Sequence, residues 1–247
     1  MEQQLRIKSL FISDLHLGVS ENNAADVLKV IEKYEFDNLF LVGDIIDIKE
    51  LRKKWRWKFL DTEIIHRIIK IASRKNVVYI TGNHERGFFD NLPDSGLPIK
   101  FCKEIVYKSK LIIHGDQFDT IIGNKKWLYC VGDWGYNWSI RITRWNNTLR
   151  KLFGIKTECK LSKNLKRLVK DSVNYLSNFH EAAAAYAKMN NCNQVICGHT
   201  HQHEMKIVDN VWYINCGDFR QDKTYIIEEL DGSMKGINLE NGKILSI

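Results

Sequence analysis

The stretch VVYITGNHE, residues 77–85, joins a run of strand-forming residues to a cluster of polar side chains. Residues 77–80 have the β-branched and aromatic composition of a buried strand. The strand is followed at once by Gly82-Asn83-His84-Glu85. A buried strand needs no amide, imidazole and carboxylate in the turn that follows it. Because four other strand-like segments end in the same way, the pattern indicates a site built at the ends of strands.

Five short apolar segments are rich in β-forming residues and predict buried strands. They are IKSLFIS (7–13), NLFLV (38–42), VVYIT (77–81), LII (111–113) and QVIC (194–197). The first three are separated by apolar residues spaced three and four apart, which is the pattern of an amphipathic helix. These residues are Val27, Leu28, Ile31 and Tyr34 in the first helix, and Ile64, Ile65, Ile68, Ile69 and Ala72 in the second. Alternation of strand and helix predicts an α/β fold, a parallel sheet with helices on its faces.

The chain from about 118 to 190 has a different character. Apolar and aromatic residues recur there at helical spacing, including Trp134, Trp138 and Trp145, so we expect a helical insertion between two strands. Beyond residue 203, the segments EMKIV, VWYIN and TYIIEEL alternate around turns at Asp209-Asn210 and Gly217-Asp218, which predicts antiparallel strands. With two prolines, no linker and no repeat, residues 1–247 are expected to form one domain that carries this insertion.

The formal net charge of +7 is concentrated in the insertion. Residues 125–170 contain twelve Lys and Arg but only two acidic residues, so an anionic partner is expected. Nucleic acid, an acidic lipid surface or a phosphorylated substrate would each satisfy this charge. The chain shows no bilayer-length apolar run and no signal peptide, and its six cysteines include no CxxC pair. We therefore expect a cytoplasmic protein with reduced, buried thiols.

Each of the five predicted strands ends in side chains that can bind metal. The five motifs are Asp14-Leu15-His16, Gly43-Asp44-Ile45-Ile46-Asp47, Gly82-Asn83-His84-Glu85, His114-Gly115-Asp116 and Gly198-His199-Thr200-His201. Ligands of parallel α/β sheets bind beyond the carboxyl ends of the strands, so these loops should converge. Carboxylate, imidazole and amide oxygen suit divalent first-row metals, and seven such side chains are too many for one ion. Two ions are implied, about 3.5 to 4 Å apart and bridged by a carboxylate.

In this order, the motifs resemble those of the calcineurin-like metallophosphoesterase family, and the match extends from Asp14 to His201. The resemblance implies a β-sandwich of mixed sheets flanked by helices, and a metal-dependent phosphoric ester or diphosphate hydrolase. It implies that Asp14, His16 and His201 bind one metal ion, that Asn83, His114 and His199 bind the other, and that Asp44 bridges them. It further implies that His84 protonates the leaving oxygen or stabilises the transition state, oriented by Asp47. Manganese is expected, with iron or zinc as alternatives.

Simpler roles are open for several of these residues. Asp47 could instead be a helix N-cap. Glu85 and Asp116 could serve only to hydrogen-bond the loops or a ligating imidazole, and His203 could support the site or lie on the surface. His66 and His180 fall in helical segments and are expected to be structural, and the glycines of the motifs are expected to permit tight turns.

The layout further resembles the UDP-2,3-diacylglucosamine diphosphatase branch of this family. DLHLG (14–18), RKKWRWK (52–58) after GDIID, and HGDQFD (114–119) before the basic insertion carry that resemblance. It implies pyrophosphate cleavage of a nucleotide-linked lipid to UMP and a lipid monophosphate in lipid A biosynthesis. It also implies peripheral contact with an anionic membrane, on its inner face. His84 departs from the arginine that the best-defined diphosphatases carry at this position. The Trp-rich insertion could cover the acyl chains, or it could only pack on the sheet.

Three other functions compete with this one. A nuclease or nucleotide phosphodiesterase would use the basic insertion to bind a phosphate backbone. A protein phosphatase is compatible with GNHE, although nothing indicates a peptide groove. A non-catalytic scaffold would have lost metal ligands, and none of the seven is missing. The sequence indicates no protein partner.

Overall fold

The computed structural model describes residues 4–20, 22–89, 96–119, 176 and 178–245. The strands are β1 (Leu5–Arg6), β2 (Ser9–Ile12), β3 (Tyr34–Glu35), β4 (Asn38–Val42), β5 (Asn76–Ile80), β6 (Lys100–Cys102), β7 (Glu104–Tyr107), β8 (Lys110–Ile113), β9 (Gln194–Cys197), β10 (Glu204–Val208), β11 (Val211–Asn215), β12 (Thr224–Glu228), β13 (Met234–Asn238) and β14 (Ile244–Leu245). The helices are α1 (Ala24–Lys33), α2 (Ile48–Lys53), α3 (Phe59–Ala72) and α4 (178–189). All five strands predicted from the apolar segments are present.

Within the described residues, the larger sheet has seven strands in the order β14-β13-β12-β2-β4-β5-β6. Its centre is parallel, because β2 pairs with β4, β4 with β5, and β5 with β6 in the same direction. The other half is antiparallel, since β12 pairs in the opposite direction with both β2 and β13. The sheet is therefore mixed, with the predicted βαβαβ unit at its centre.

The remaining described strands form a five-stranded sheet, β10-β11-β9-β8-β7, and a small parallel pair, β1-β3. Strand β9 runs parallel to β8 and β11, while β7 and β10 are antiparallel edge strands. The strands that carry the five motifs are thus divided between two sheets, β2, β4 and β5 in one and β8 and β9 in the other. The parallel sheet predicted from the first three strands is present at the centre of the larger sheet, and the mixed β-sandwich that the resemblance implied is confirmed.

Alternation of side chains along the central strands produces two hydrophobic cores. Phe11, Phe40 and Val78 face the second sheet and pack in one cluster with Ile112 and Ile196. Their neighbours along each strand point to the other face of the sheet. There they pack against the apolar stripes of α1 and α3. The central strands are buried on both faces, which explains why they read as continuous apolar runs.

The chain divides into two compact units, residues 1–116 with 183–247, and residues 117–182. All of the candidate site residues belong to the first unit. In the second unit, the buried rings of Phe118 and Phe179 pack edge to face, with their centroids 5.5 Å apart. The predicted helical insertion, with its Trp and Arg residues, falls largely on residues 120–175 and so lies outside the described residues.

Two local predictions differ from the structure. Tyr34 follows α1 as the first residue of β3, because α1 ends at Lys33 and the chain becomes extended there. Gly217-Asp218 does not close a hairpin, since β11 and β12 lie in different sheets and these residues connect them. The turn at Asp209-Asn210 does join β10 and β11, and both residues have positive φ, as tight hairpin turns require.

The four cysteines of the described residues, Cys102, Cys192, Cys197 and Cys216, are free thiols, as expected. None of the helices in the described part of the chain combines the length and hydropathy needed to cross a bilayer.

Candidate metal centre

The five predicted loops converge on one point at the carboxyl ends of the strands. Three groups of side chains each place one potential ligand atom within 4.8 Å of the others, and Asp14, His16 and His201 form the first. The second group is His16, Asp44 and His84, and the third is Asp14, Asp44 and His114. His199 adjoins the third group, with its Nδ1 3.3 Å from Nε2 of His114. Two sheets contribute to a single constellation.

Hydrogen bonds on the far side of three imidazoles determine which nitrogen faces the centre. His114 Nδ1–H donates to the carbonyl of Val42 at 3.0 Å, and Nδ1 of His16 lies 3.0 Å from the carboxylate of Asp47. Nδ1 of His201 lies 3.2 Å from the carboxylate of Asp218. Carbonyl and carboxylate oxygens accept protons, so each ring directs Nε2 inward. This is the arrangement by which proteins orient histidine ligands of metals.

Two of these inward nitrogens face carboxylate oxygens at short range. Nε2 of His201 lies 3.2 Å from Oδ1 of Asp14, and Nε2 of His114 lies 3.3 Å from Oδ2 of Asp44. A lone pair facing an anionic oxygen is repulsive unless a proton or a metal ion lies between them. The geometry is therefore that of a cation site.

Polar atoms without partners provide a test of that interpretation. Across the described residues, four buried atoms of the constellation make no hydrogen bond: Asp14 Oδ1, His16 Nε2, Asp44 Oδ2 and Asn83 Oδ1. Buried polar atoms are nearly always satisfied, and Asp14, His16 and Asp44 also belong to the close groups of potential ligand atoms, so the unsatisfied atoms indicate a cation site. Oxygen and imidazole nitrogen together suit divalent first-row cations. The residues present therefore fit the metal ions that the sequence implies.

The carboxylates and imidazoles of the cluster shift one another's pKa values. Burial alone would raise the pKa of Asp14, but the charges of His201 and His114 outweigh it and hold that pKa well below its usual range. Burial would lower the pKa of the two histidines, but the carboxylates of Asp14 and Asp44 raise it, to about 10 for His201 and about 9 for His114. A site that attracts protons this strongly will also attract metal cations.

The backbone at the centre is strained. Five site residues that are not glycine have positive φ, between +47° and +69°: Asp14, His16, Asp44, His199 and His201. L-residues seldom adopt this conformation, which costs about 1 to 3 kcal/mol at each position and persists at functional sites. Five of the seven predicted ligands therefore share this conformation.

At two positions, the motif glycines are required because a Cβ atom would not fit, and not because the backbone has positive φ. A Cβ added to Gly82 would lie 2.2 Å from Oδ1 of Asp44, and one added to Gly198 would lie 2.4 Å from Oδ2 of Asp14. Neither glycine has positive φ, so the predicted requirement for a tight turn does not explain them. Gly43 does have positive φ, and its position also lacks room because of the His114 ring. These glycines allow the ligand loops to approach one another.

Asp47 fulfils both roles that the sequence left open. It is the N-cap of α2, where Oδ1 accepts a hydrogen bond from the backbone N–H of Glu50 at 2.9 Å. The same oxygen lies 2.8 Å from Nδ1 of His84, and Oδ2 holds His16. Burial would raise the pKa of Asp47, but hydrogen bonds from His16 and His84 lower it well below the usual range. A charged Asp47 thus contacts a predicted metal-binding imidazole and the predicted catalytic imidazole together.

Two further residues, Glu85 and Asp116, support the loops. Glu85 is fully buried and accepts hydrogen bonds from Tyr79 and from the backbone N–H groups of Ile46 and Gly82. Burial, with the charge of Asp44, raises the pKa of Glu85 to about 7. Asp116 forms an ion pair with Arg86.

His203 lies behind the site, with Nδ1 2.8 Å from the carbonyl of Asn215, whose amide group also bonds Gly198. Of the two other histidines, His66 is exposed on α3 and His180 is buried in α4. Their predicted structural role stays a prediction.

Sequence reasoning missed Asp218, which holds His201. It treated Gly217-Asp218 as a turn, and the only available signal was a carboxylate in a loop after a strand-like segment. The second carboxyl oxygen of Asp218 accepts hydrogen bonds from the backbone N–H groups of Gln221 and Asp222. This loop therefore ties a histidine ligand to the connection between the two sheets.

Residues 7–203 match the calcineurin-like phosphoesterase family. The chain belongs to that family. Because the matched range includes all seven predicted ligands, it is a metal-dependent phosphoester hydrolase of the metallophosphoesterase type. No curated protein matches the chain by sequence.

Solved structures with a similar fold include Vacuolar Protein Sorting 29 from Cryptosporidium parvum, with a TM-score of 0.51 at 13% identity, covering 96% of this chain and 93% of that one. Another is Yfce, a phosphoesterase from E. coli, with a TM-score of 0.49 at 14% identity, covering 97% of both chains. At such identities the likeness concerns the fold alone.

Proposed function

We propose that the seven side chains at the strand ends bind two divalent metal ions and that the protein hydrolyses a phosphate ester or diphosphate there. The observation that carries this proposal is the close grouping of potential ligand atoms from Asp14, His16 and Asp44, each of which has a buried atom without a hydrogen-bond partner. Oδ1 of Asn83, on the loop after β5, is likewise buried and unsatisfied. Family membership supports the same chemistry.

The ligands divide into two sets around one carboxylate. Asp14, His16 and His201 form one set, as their close grouping supports. Asn83, His114 and His199 form the other, and Asp44 would contribute to both, because it groups closely with His16 of the first set and its Oδ2 lies 3.3 Å from Nε2 of His114 in the second. Manganese is the proposed metal, and iron or zinc are alternatives, since this ligand set binds all three. Two bound cations would stabilise charge on the phosphoryl oxygens and lower the pKa of a water molecule.

His84 is proposed as the group that protonates the leaving oxygen. Its Nδ1 is held by Asp47, and its backbone N–H donates to Oδ1 of Asp44 at 2.9 Å, so both the ring and the loop are fixed. Nε2 then lies on the side of the metal ligands, 3.9 Å from Oδ2 of Asp44. As the bond from phosphorus to the leaving oxygen breaks, Nε2–H of His84 supplies the proton to that oxygen, water supplies the new oxygen on phosphorus, and the proton that the water loses passes to solvent.

For the substrate, we propose a nucleotide-linked lipid diphosphate, cleaved to UMP and a lipid monophosphate. The segment RKKWRWK supports an anionic, partly apolar substrate at the edge of the site. Trp55 and the nearby Phe59 are 73% and 76% exposed, and the charged residues between and beside them are also exposed. Exposed aromatic rings among basic side chains suit the interface of an anionic membrane, where such a lipid is held.

The test is a comparison of three substrates with the manganese-loaded protein: UDP-2,3-diacylglucosamine, single-stranded DNA and bis(p-nitrophenyl) phosphate. We expect UMP release from the first and slow turnover of the third. DNA cleavage with an inert lipid substrate would establish a nuclease instead. Turnover of none of the three would refute the hydrolase itself.

A further inference from the structure

A cleft of about 290 Å³ opens beside His84 and Asp47. Beyond these two residues, the described part of its lining consists of Gly18, Val19, Ser20, Glu50, Lys54, Arg56 and Arg220. A group bound in the cleft would therefore lie beside His84, the proposed proton donor, and Asp47, which contacts it. The volume is at the low end of the range for small-molecule sites, which fits a substituent of the substrate.

Positive charge dominates this cleft. Three basic side chains, Lys54, Arg56 and Arg220, line it, and the carboxylates among the described lining residues are already engaged. Glu50 pairs with Lys53 at 2.6 Å, and Asp47 holds two imidazoles. Guanidinium and ammonium groups at the wall of a cleft are the donors that phosphate oxygens prefer.

The walls of the cleft are held in place by buried polar groups. The fully buried carboxylate of Asp61 accepts hydrogen bonds from the backbone N–H groups of Gly18 at 3.2 Å and Lys58 at 2.9 Å. Arg56 in turn donates to the hydroxyl of Ser20 at 3.1 Å. The loop after β2 is thereby joined to the segment before α3, which carries Lys54 and Arg56.

The opposite wall is tied to the ligand loops. The side-chain amide of Asn23 donates to the backbone carbonyls of Phe219 and Arg220, at 2.6 and 3.0 Å. Arg220 follows Asp218 by two residues, and Asp218 holds the ligand His201. The backbone that carries Arg220 is therefore connected to the loop that holds a proposed metal ligand.

We propose that this cleft binds the phosphate of the substrate that does not react, so that the enzyme prefers substrates with two linked phosphates over those with one. Arg56 and Lys54 are the residues that determine this preference. The inference rests on the proposed hydrolytic function and adds the group by which the substrate class is recognised.

The experiment uses two substrates that differ by one phosphate, the phenyl ester of UMP and the phenyl ester of UDP. Both release UMP, which chromatography measures in the manganese-loaded protein. We expect kcat/KM of the wild-type protein to be higher for the UDP ester. Arg56→Ala and Lys54→Ala should each lower kcat/KM for the UDP ester about tenfold more than for the UMP ester, the effect of losing one charge-assisted contact.

Two controls make the result specific. Arg74→Ala removes an exposed charge outside the segment RKKWRWK and outside the described cleft lining, so it should leave both rates unchanged. Arg56→Lys should retain part of the preference because it keeps the charge. Equal losses on both esters in Arg56→Ala, or no loss on either, would overturn the inference while leaving the hydrolase intact.

If the wild-type protein releases UMP from neither ester, the proposed function fails, and the cleft is then judged by binding alone. Calorimetric titration with the UDP ester should still show about tenfold weaker binding to Arg56→Ala than to Arg74→Ala. Equal binding to both variants would refute the cleft as a phosphate site.

Discussion

Oδ1 of Asp47 lies 2.8 Å from Nδ1 of His84, while the other oxygen of the same carboxylate lies 3.0 Å from Nδ1 of His16. One side chain therefore orients a proposed metal ligand and the proposed proton donor. Both imidazoles present an N–H to Asp47, so the carboxylate must accept on both oxygens. Asp47 therefore connects the proposed metal ligand directly to the proposed proton donor.

The first prediction concerns Asp47→Asn. An amide keeps only one accepting oxygen, so one of the two imidazoles would face an NH₂ group and lose its orientation. We expect metal affinity to fall about 10- to 100-fold, as for other groups that orient ligands, together with a lower kcat. Metal titration and steady-state kinetics on bis(p-nitrophenyl) phosphate measure the two effects. A variant with unaltered affinity and turnover would show that Asp47 serves only as the N-cap of α2.

The second prediction concerns His84→Ala. The side chain of His84 makes no contribution to the two proposed ligand sets, so both metal ions should be retained. Loss of proton transfer should lower kcat about 10²- to 10⁴-fold. Elemental analysis and kinetics with a poor leaving group provide the measurement. Unchanged turnover would exclude His84 from the mechanism, and loss of metal would show that it belongs to the ligand set.

A third prediction follows from the space at Gly198. In Gly198→Ala, the added methyl group would lie 2.4 Å from Oδ2 of Asp14, so that carboxylate or the His199 loop must move. We expect a severe loss of metal affinity, measured by titration of the metal-free protein. Gly232→Ala is the control, because its methyl group meets open space and only the cost of a positive φ applies. Equal metal affinity in the two variants would contradict the proposed crowding.

The fourth prediction concerns Glu228, a buried residue far from the ligand loops in sequence. Its carboxylate accepts hydrogen bonds from the side chains of Ser9 and Lys110, at 2.7 and 3.1 Å. Burial would raise the pKa of Glu228, but these contacts and Lys8 hold it below the ordinary value of 4.5. A depressed folded-state pKa contributes stability above pH 4.5 that is lost as pH falls through the folded-state value. Glu228→Gln should therefore be less stable by about 3 kcal/mol at pH 7, and the difference should shrink below pH 4.5.

Thermal unfolding of both proteins between pH 3 and pH 8 measures this difference. Glu229→Gln is the matched control, because Glu229 pairs with Lys235 where both side chains are partly exposed. Surface pairs contribute about 0 to 1 kcal/mol, so this variant should resemble the wild-type protein throughout. A constant stability deficit of Glu228→Gln down to pH 3 would show that the charge of the carboxylate is not its source.

The fifth prediction concerns the exposed aromatic residues of the segment before and at the start of α3. Trp55→Ala with Phe59→Ala should reduce sedimentation with vesicles that contain phosphatidylglycerol, since both apolar side chains are removed from the interface. Neutral phosphatidylcholine vesicles provide the control for charge. Equal sedimentation of the double variant and the wild-type protein would place any membrane contact elsewhere in the chain.

Local sequence was sufficient for the strands and for the choice of ligands. Strands such as β4 and β5 are buried on both faces, so their apolar runs were visible without knowledge of their partners. The ligands stand directly after those strands, in motifs whose order is specific to one family. The identities of Asp14, Asn83 and His199 as candidates therefore needed no tertiary information.

Only the tertiary structure determined what surrounds those ligands. Asp218 reaches His201 across a connection between two sheets, and Asp47 holds two imidazoles from different loops. The division of the motif strands between two sheets likewise depends on pairing among strands far apart in sequence. Spacing along the chain describes periodicity within one element, whereas these contacts depend on how separate elements pack. For the same reason, the requirement for glycine at 82 and 198 appeared only when the neighbouring carboxylates were in place.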